Sequence, residues 1–175
     1  MTRNDLYEGL VAGSVASLVS TAALLAAGRR ETGSAFTPLN AISHWRWGEE
    51  AIGRQRPDLR HTAVGLATHQ LSSVFWAALH SAAARRFGLR RAGLPLMASS
   101  MAMSGLACLA DYRFTPPRLR PGFEQRLSRR AIAGVYGAFA LGLAMGVVVA
   151  RPGRLAGAEA PVGRRQKLLK NLPAP

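Results

Sequence analysis

A chain of 175 residues with 23 Lys and Arg against 9 Asp and Glu carries a net charge of +14 and a pI near 11.7. That is one domain's length and, for a soluble protein, the charge of a nucleic-acid binder. The arginines argue against nucleic acid as a partner: they stand at the edges of apolar runs, as Arg29-Arg30, Arg85-Arg86, Arg90-Arg91, Arg129-Arg130 and Arg151, where lipid phosphates lie and cationic side chains snorkel. A single cysteine, Cys108, excludes an internal disulfide and a CxxC site.

Bulk composition is ordinary, with 49% hydrophobic residues and a mean hydropathy of +0.07. Distribution is not. Charges are confined to connections, and four uncharged apolar runs lie between them, at 9–28, 62–84, 92–110 and 131–150. A soluble helix keeps charges on its outer face, whereas each of these runs is long enough to cross a hydrocarbon core of about 30 Å. The sequence predicts an all-α fold: an integral membrane bundle of four transmembrane helices over residues 1–151, with a basic, flexible tail over 152–175.

The leader before the first run mixes Arg3, Asp5 and Glu8, unlike the positive leader of a secretory signal, so the run is read as a retained span. Within it Gly9, Gly13, Ser17 and Thr21 recur every four residues, a small-residue ridge of the kind that lets helices approach closely. In the long connection that follows, Thr37-Pro38 opens a helix. Leu39, Ile42, Trp45 and Ile52 then share a face, with Trp45 and Trp47 suited to the membrane–water boundary. A short interfacial helix is expected over 39–52.

The second run contains His69 and His80, which lie eleven residues apart, close to three full turns at 100° per residue. Ser72, Ser73 and Trp76 fall near the same face. Lipid offers no hydrogen bonds, so this polar stripe should face protein or trapped water. The third run starts with Pro95 in its first turns, carries Met97, Met101 and Met103 as packing groups, and ends at Asp111. The next connection is broken by Pro116-Pro117 and Pro121-Gly122. The fourth run then repeats the small-residue pattern at Gly134, Ala138, Gly142 and Gly146, which suggests that spans one and four pack with each other or with a second copy. The arginine-dense turn RRFGLRR between spans two and three places both termini in the cytoplasm by the positive-inside rule, although the overall Lys and Arg counts of the two sides are nearly tied.

The stretch NAISHWRWGEEA (40–51), with Arg60-His61-Thr62, GLATHQLSSVFWAALH and the later TPPRLRPGFEQRLS, resembles a group of small bacterial four-span inner-membrane proteins over roughly residues 37–146. A looser similarity, in the His/Ser/Phe pattern of the second span and the Thr-Pro-Pro after the third, is to the YagU-like inner-membrane proteins. These resemblances imply localisation and topology and no activity.

Four histidines, His44, His61, His69 and His80, raise metal or haem chemistry. Both intramembrane histidines lie on one helix, about 16 Å apart by the helical rise, whereas a haem between helices needs ligands on facing helices. No HxxxH or HxxH occurs, so no cofactor is expected. A proton or ligand path would use His69, His80, Asp111 and the Glu49-Glu50 pair; lipid chemistry at the interface would use His44, Glu49 and Glu50. There is no GxSxG, P-loop or GxGxxG. The expected function is therefore a non-catalytic, accessory or self-associating membrane component. Its partners would be anionic headgroups and a second copy or another membrane protein. The alternative is transport, proton relay or lipid chemistry on those polar residues.

Overall fold

The computed structural model describes residues 2–88 and 93–151, and every element in it is helical. The tail at 152–175 and the end of the RRFGLRR turn, with residue 92 after it, lie outside the described residues. The order is α1 (Arg3–Thr32), α2 (Thr37–Ala41), α3 (His44–Trp47), α4 (Glu49–Gly53), α5 (His61–Arg86), α6 (Leu94–Leu109) running on into a π-helical segment (Ala110–Phe114), two short 3-10 turns (Pro117–Leu119 and Phe123–Gln125), and α7 (Arg129–Ala150).

Local chemistry fixes the helix ends. Thr2 and Asp5 form a capping box on α1, each side chain bonded to the other's backbone N–H, at 3.2 and 2.7 Å. Gly33 ends α1 in the left-handed conformation, φ 77°. The Ser128 hydroxyl accepts from Ala131 N–H to cap α7. Ser128 also donates through its backbone N–H and its hydroxyl to Glu31, at 2.6 and 2.7 Å, which ties the end of α1 to the start of α7.

Among the described residues three helices are long and apolar enough to cross a membrane: Arg3–Thr32, Leu94–Phe114 and Arg129–Ala150. The 26-residue α5 has the length but is not among them. Thr62, Thr68, His69, Gln70, Ser72, Ser73 and His80 dilute its apolar content.

Helix α1 is the centre of the packing and runs antiparallel to both α5 and α7. A Cβ placed on Gly9 would sit 2.7 Å from Ala78, and one on Gly13 would strike the backbone of Val74. On the other side Gly142 lies against Ala16 and Gly146 against Ala12. Ala12, Ala16, Phe139, Leu143 and Val147 form the core there. Gly134, placed on the same ridge by its spacing, is exposed and has nothing near it, and Ala138 is only half-buried. Each step of four residues turns about 40° past a full circle, so twelve residues carry the pattern about a third of the way round the helix.

The termini of α1, α5 and α7 meet at one end, the terminal end. Asp5 is fully buried there and accepts from Arg85 Nε at 3.1 Å. Glu8 accepts from the Ser81 hydroxyl at 2.8 Å and pairs with Arg151. Both long connections lie at the opposite, loop end.

The connection expected to hold one surface helix over 39–52 is instead three short helices, and Thr37, Asn40, Ala41 and Ser43 are fully buried. Asn40 causes the fold-in. Its amide donates to the carbonyls of Arg54 and Arg56, both at 3.0 Å, and its Oδ1 accepts from Thr62 Oγ1 at 2.6 Å. Gly65 leaves room for the Leu39 carbonyl against α5. Gly48, at φ 63°, breaks the path between α3 and α4.

Gly13→Val should overpack the α1–α5 contact and cost on the order of 1–3 kcal/mol, whereas Gly134→Val should stay within about 0.5 kcal/mol of wild type. Thermal unfolding of the two purified variants in detergent checks the contrast; equal melting would contradict the packing described.

Candidate functional site

The face of α5 that carries His80 towards α6 at the terminal end also carries Trp76, Ser73, Ser72 and His69, one after another towards the loop end. Helices α5 and α6 meet mainly near the terminal end, where His80 and Ser99 bond at 3.0 Å. Further along, the space between them is a cavity of about 110 Å³, room for a few waters or the polar end of a ligand. Its back is Ser20 of α1 and Val135, Tyr136 and Phe139 of α7; its roof is Ile42, Trp45 and the 119–123 loop.

Several of the polar groups in it are hydrogen-bonded. The Ser20 hydroxyl bonds to the Ala16 carbonyl at 2.7 Å. Ser20 Oγ also lies 2.8 Å from His69 Nε2, a hydrogen bond whose direction depends on the imidazole tautomer. Asp111 accepts from the Tyr136 hydroxyl at 2.5 Å, and Tyr136 stacks edge-on with Tyr112, centroids 6.2 Å apart. The Trp45 indole N–H donates to Thr68 at 3.4 Å. Arg120 uses Nε on the Thr115 carbonyl, also at 3.4 Å.

Asp111 does not end the third span. The helix widens into the π segment and continues to Phe114, which carries Asp111 round into the cavity. Single-turn π segments of this kind collect at functional sites.

The remaining candidate residues divide into separate places. His44 donates through Nδ1 to the Ala41 carbonyl at 3.0 Å, and its buried Nε2 has no partner among the described residues. With Glu49 it lines an open groove of about 410 Å³ on the outer side of Trp45, a residue that borders both spaces. His80 belongs to the terminal end, where its Nε2 bonds to the Ser99 hydroxyl, which also reaches the Leu96 carbonyl at 2.9 Å. His69 and His80, one stripe by periodicity, thus serve two sites. Among the described residues no three His, Cys, Asp or Glu side chains stand together as a metal ligand set.

His61, Glu50 and Trp47 form a cluster at the start of α5. The buried His61 ring meets Trp47 edge-on at 6.1 Å, and its Nε2 is 3.6 Å from Glu50. Arg46 and Arg60 lie over the Trp47 ring at 4.5 and 4.3 Å. Asp58 caps α5 by accepting from the His61 backbone N–H at 2.6 Å and from its ring Nδ1 at 3.0 Å.

Sequence reasoning missed Ser20, Arg120 and Tyr136. Only Tyr136 left a signal, as the single phenol inside the last apolar run. Comparison of the chain with protein-family models, with curated proteins and with solved structures returned no match.

The backbone N–H of His61, then the His61 ring and Arg54, hold the Asp58 carboxyl at about 2, against an ordinary value of 3.8. A carboxyl lowered by folding stabilises the folded state above its unfolded pKa, and the effect is lost as pH falls towards the folded value. Wild-type protein should therefore lose melting temperature between about pH 4 and pH 2 more steeply than Asp58→Asn. Parallel slopes in thermal melts across that window would remove Asp58 as the cause.

Proposed function

We propose that this chain is a four-span protein of the bacterial inner membrane, termini in the cytoplasm, that works by binding a small ligand in the cavity between α5 and α6. The observation that carries this reading is the convergence of His69, Asp111, Tyr136 and Arg120 on one partly apolar cavity inside a helical bundle, the usual form of a binding site. The reading also accounts for the polarity of α5. A fourth span is tolerable when its polar face looks into a cavity and its exposed face is apolar, as Leu71, Phe75 and Leu79 are. The orientation rests on the arginine density of the 85–91 turn. Self-association through the glycine ridges draws less support, because Gly9, Gly13, Gly142 and Gly146 already face partners within the chain.

Two measurements test it. In a Cys108→Ser background, single cysteines at Arg46 and Phe87 should react with a membrane-impermeant maleimide from opposite sides, with Phe87 reached only after the cytoplasmic face is opened; labelling of both from one side would refute four spans. For the cavity, Ser72→Trp plugs its mouth at an exposed position. Wild type purified from membranes should carry a bound small molecule, detected by mass spectrometry of the extract, that Ser72→Trp lacks at equal abundance and melting temperature. Equal recovery from both would dismiss the cavity as the site.

A further inference from the structure

We infer that the cavity takes the headgroup of an anionic lipid, which enters sideways from the bilayer between α5 and α6; this rests on the proposed binding cavity and names its ligand class. The first observation is the opening. Ser72 lines the cavity and is at the same time exposed, so the cavity is open on the α5 face, where the two helices have parted. On either side of that mouth stand exposed apolar side chains, Leu71 and Phe75 of α5 and Leu106 of α6, exposed by 71, 56 and 54%. A ligand that leaves through this mouth meets hydrocarbon. Only an amphiphile matches a polar cavity that opens onto an apolar surface.

The second observation is depth and charge. Arg120 stands in the connection between α6 and α7, at the level where a span ends and lipid phosphates lie. Among the described residues it bonds through Nε alone, to the Thr115 carbonyl, which leaves its terminal amino groups for a phosphate that a guanidinium holds in a planar fork. Among the described residues Asp111 is the one acidic group lining the cavity, and the Tyr136 hydroxyl donates to it. Hydroxyls of Thr68, Ser72 and Ser73 supply neutral partners for the remaining headgroup oxygens. With the head at Arg120, the acyl chains run down the α5–α6 seam past Trp76, in the direction lipid chains already take.

The experiment uses two bilayers of one composition, equal parts phosphatidylglycerol and phosphatidylcholine, differing only in which lipid carries brominated chains. Bromine quenches tryptophan on contact, and Trp45 and Trp76 line the cavity. Quenching should be at least about twofold greater with bromine on phosphatidylglycerol. Arg120→Gln should bring the ratio to one, and Arg120→Lys should keep part of the bias, with all three proteins melting alike. Equal quenching in wild type, or a bias that survives Arg120→Gln, overturns the anionic class and leaves the cavity reading standing. Relief of the bias by soluble glycerol phosphate overturns the lipid source. Quenching by neither lipid beyond that of a bilayer-facing tryptophan at Leu71, in a chain whose native tryptophans are phenylalanine, overturns both readings.

Discussion

Backbone contact between α1 and its two neighbours sets the positions of everything else. Helices that lie in hydrocarbon have no hydrophobic reason to associate, and van der Waals contact at short range then has to hold them. Here it is made by glycine and alanine: Gly13 on Val74 along one side of α1, Gly146 on Ala12 along the other. α5 and α7 are thereby clamped to a common axis. α6 has no such clamp. It reaches α7 through the Ser104 hydroxyl on the Tyr136 carbonyl, at 2.7 Å, and through Asp111 on the Tyr136 hydroxyl, and it reaches α5 chiefly at the terminal end. The cavity is what remains when three helices are packed tightly and the fourth is held on one side.

Three of the four apolar runs were legible as helices long and apolar enough to cross a membrane, because an uncharged run that long has few other uses. The sequence also placed His69, Ser72, Ser73 and Trp76 on one face, since helical periodicity is a local property. Three things escaped it for one reason, that their causes are non-local or lie in backbone geometry. Asp111 looked like the end of a span because a carboxylate in an apolar run normally is one; the π segment that carries it onward has no composition of its own. The 39–52 stretch shows a helical apolar face, yet its path is decided by Asn40 bonding carbonyls fourteen and sixteen residues away. Arg120 looked like one more loop arginine among many. Only the fold brings it over His69 and Tyr136, on opposite walls of one cavity.

The four histidines show how little residue type alone says about role. His44 donates a ring nitrogen to a backbone carbonyl, while His69 and His80 each share one ring nitrogen with a serine hydroxyl. His61 is held by the carboxylate that caps its own helix. What separates them is their surroundings: His69 lines the cavity, His44 lines the outer groove with its Nε2 buried, and His61 has Glu50 beside its Nε2.

The Glu8–Arg151 pair joins positions 143 residues apart, and this bears on how the bundle closes. α1 precedes both of its packing partners, α5 and α7, in the chain, and it carries two carboxylates that are buried in the folded bundle. Asp5 gains Arg85 when α5 packs against α1. Glu8 then has Ser81 beside it, but Arg151 lies at the far end of α7. The Glu8–Arg151 ion pair therefore forms only once α7 has docked on α1, so the contact that closes the terminal end couples the first and the last of the described helices.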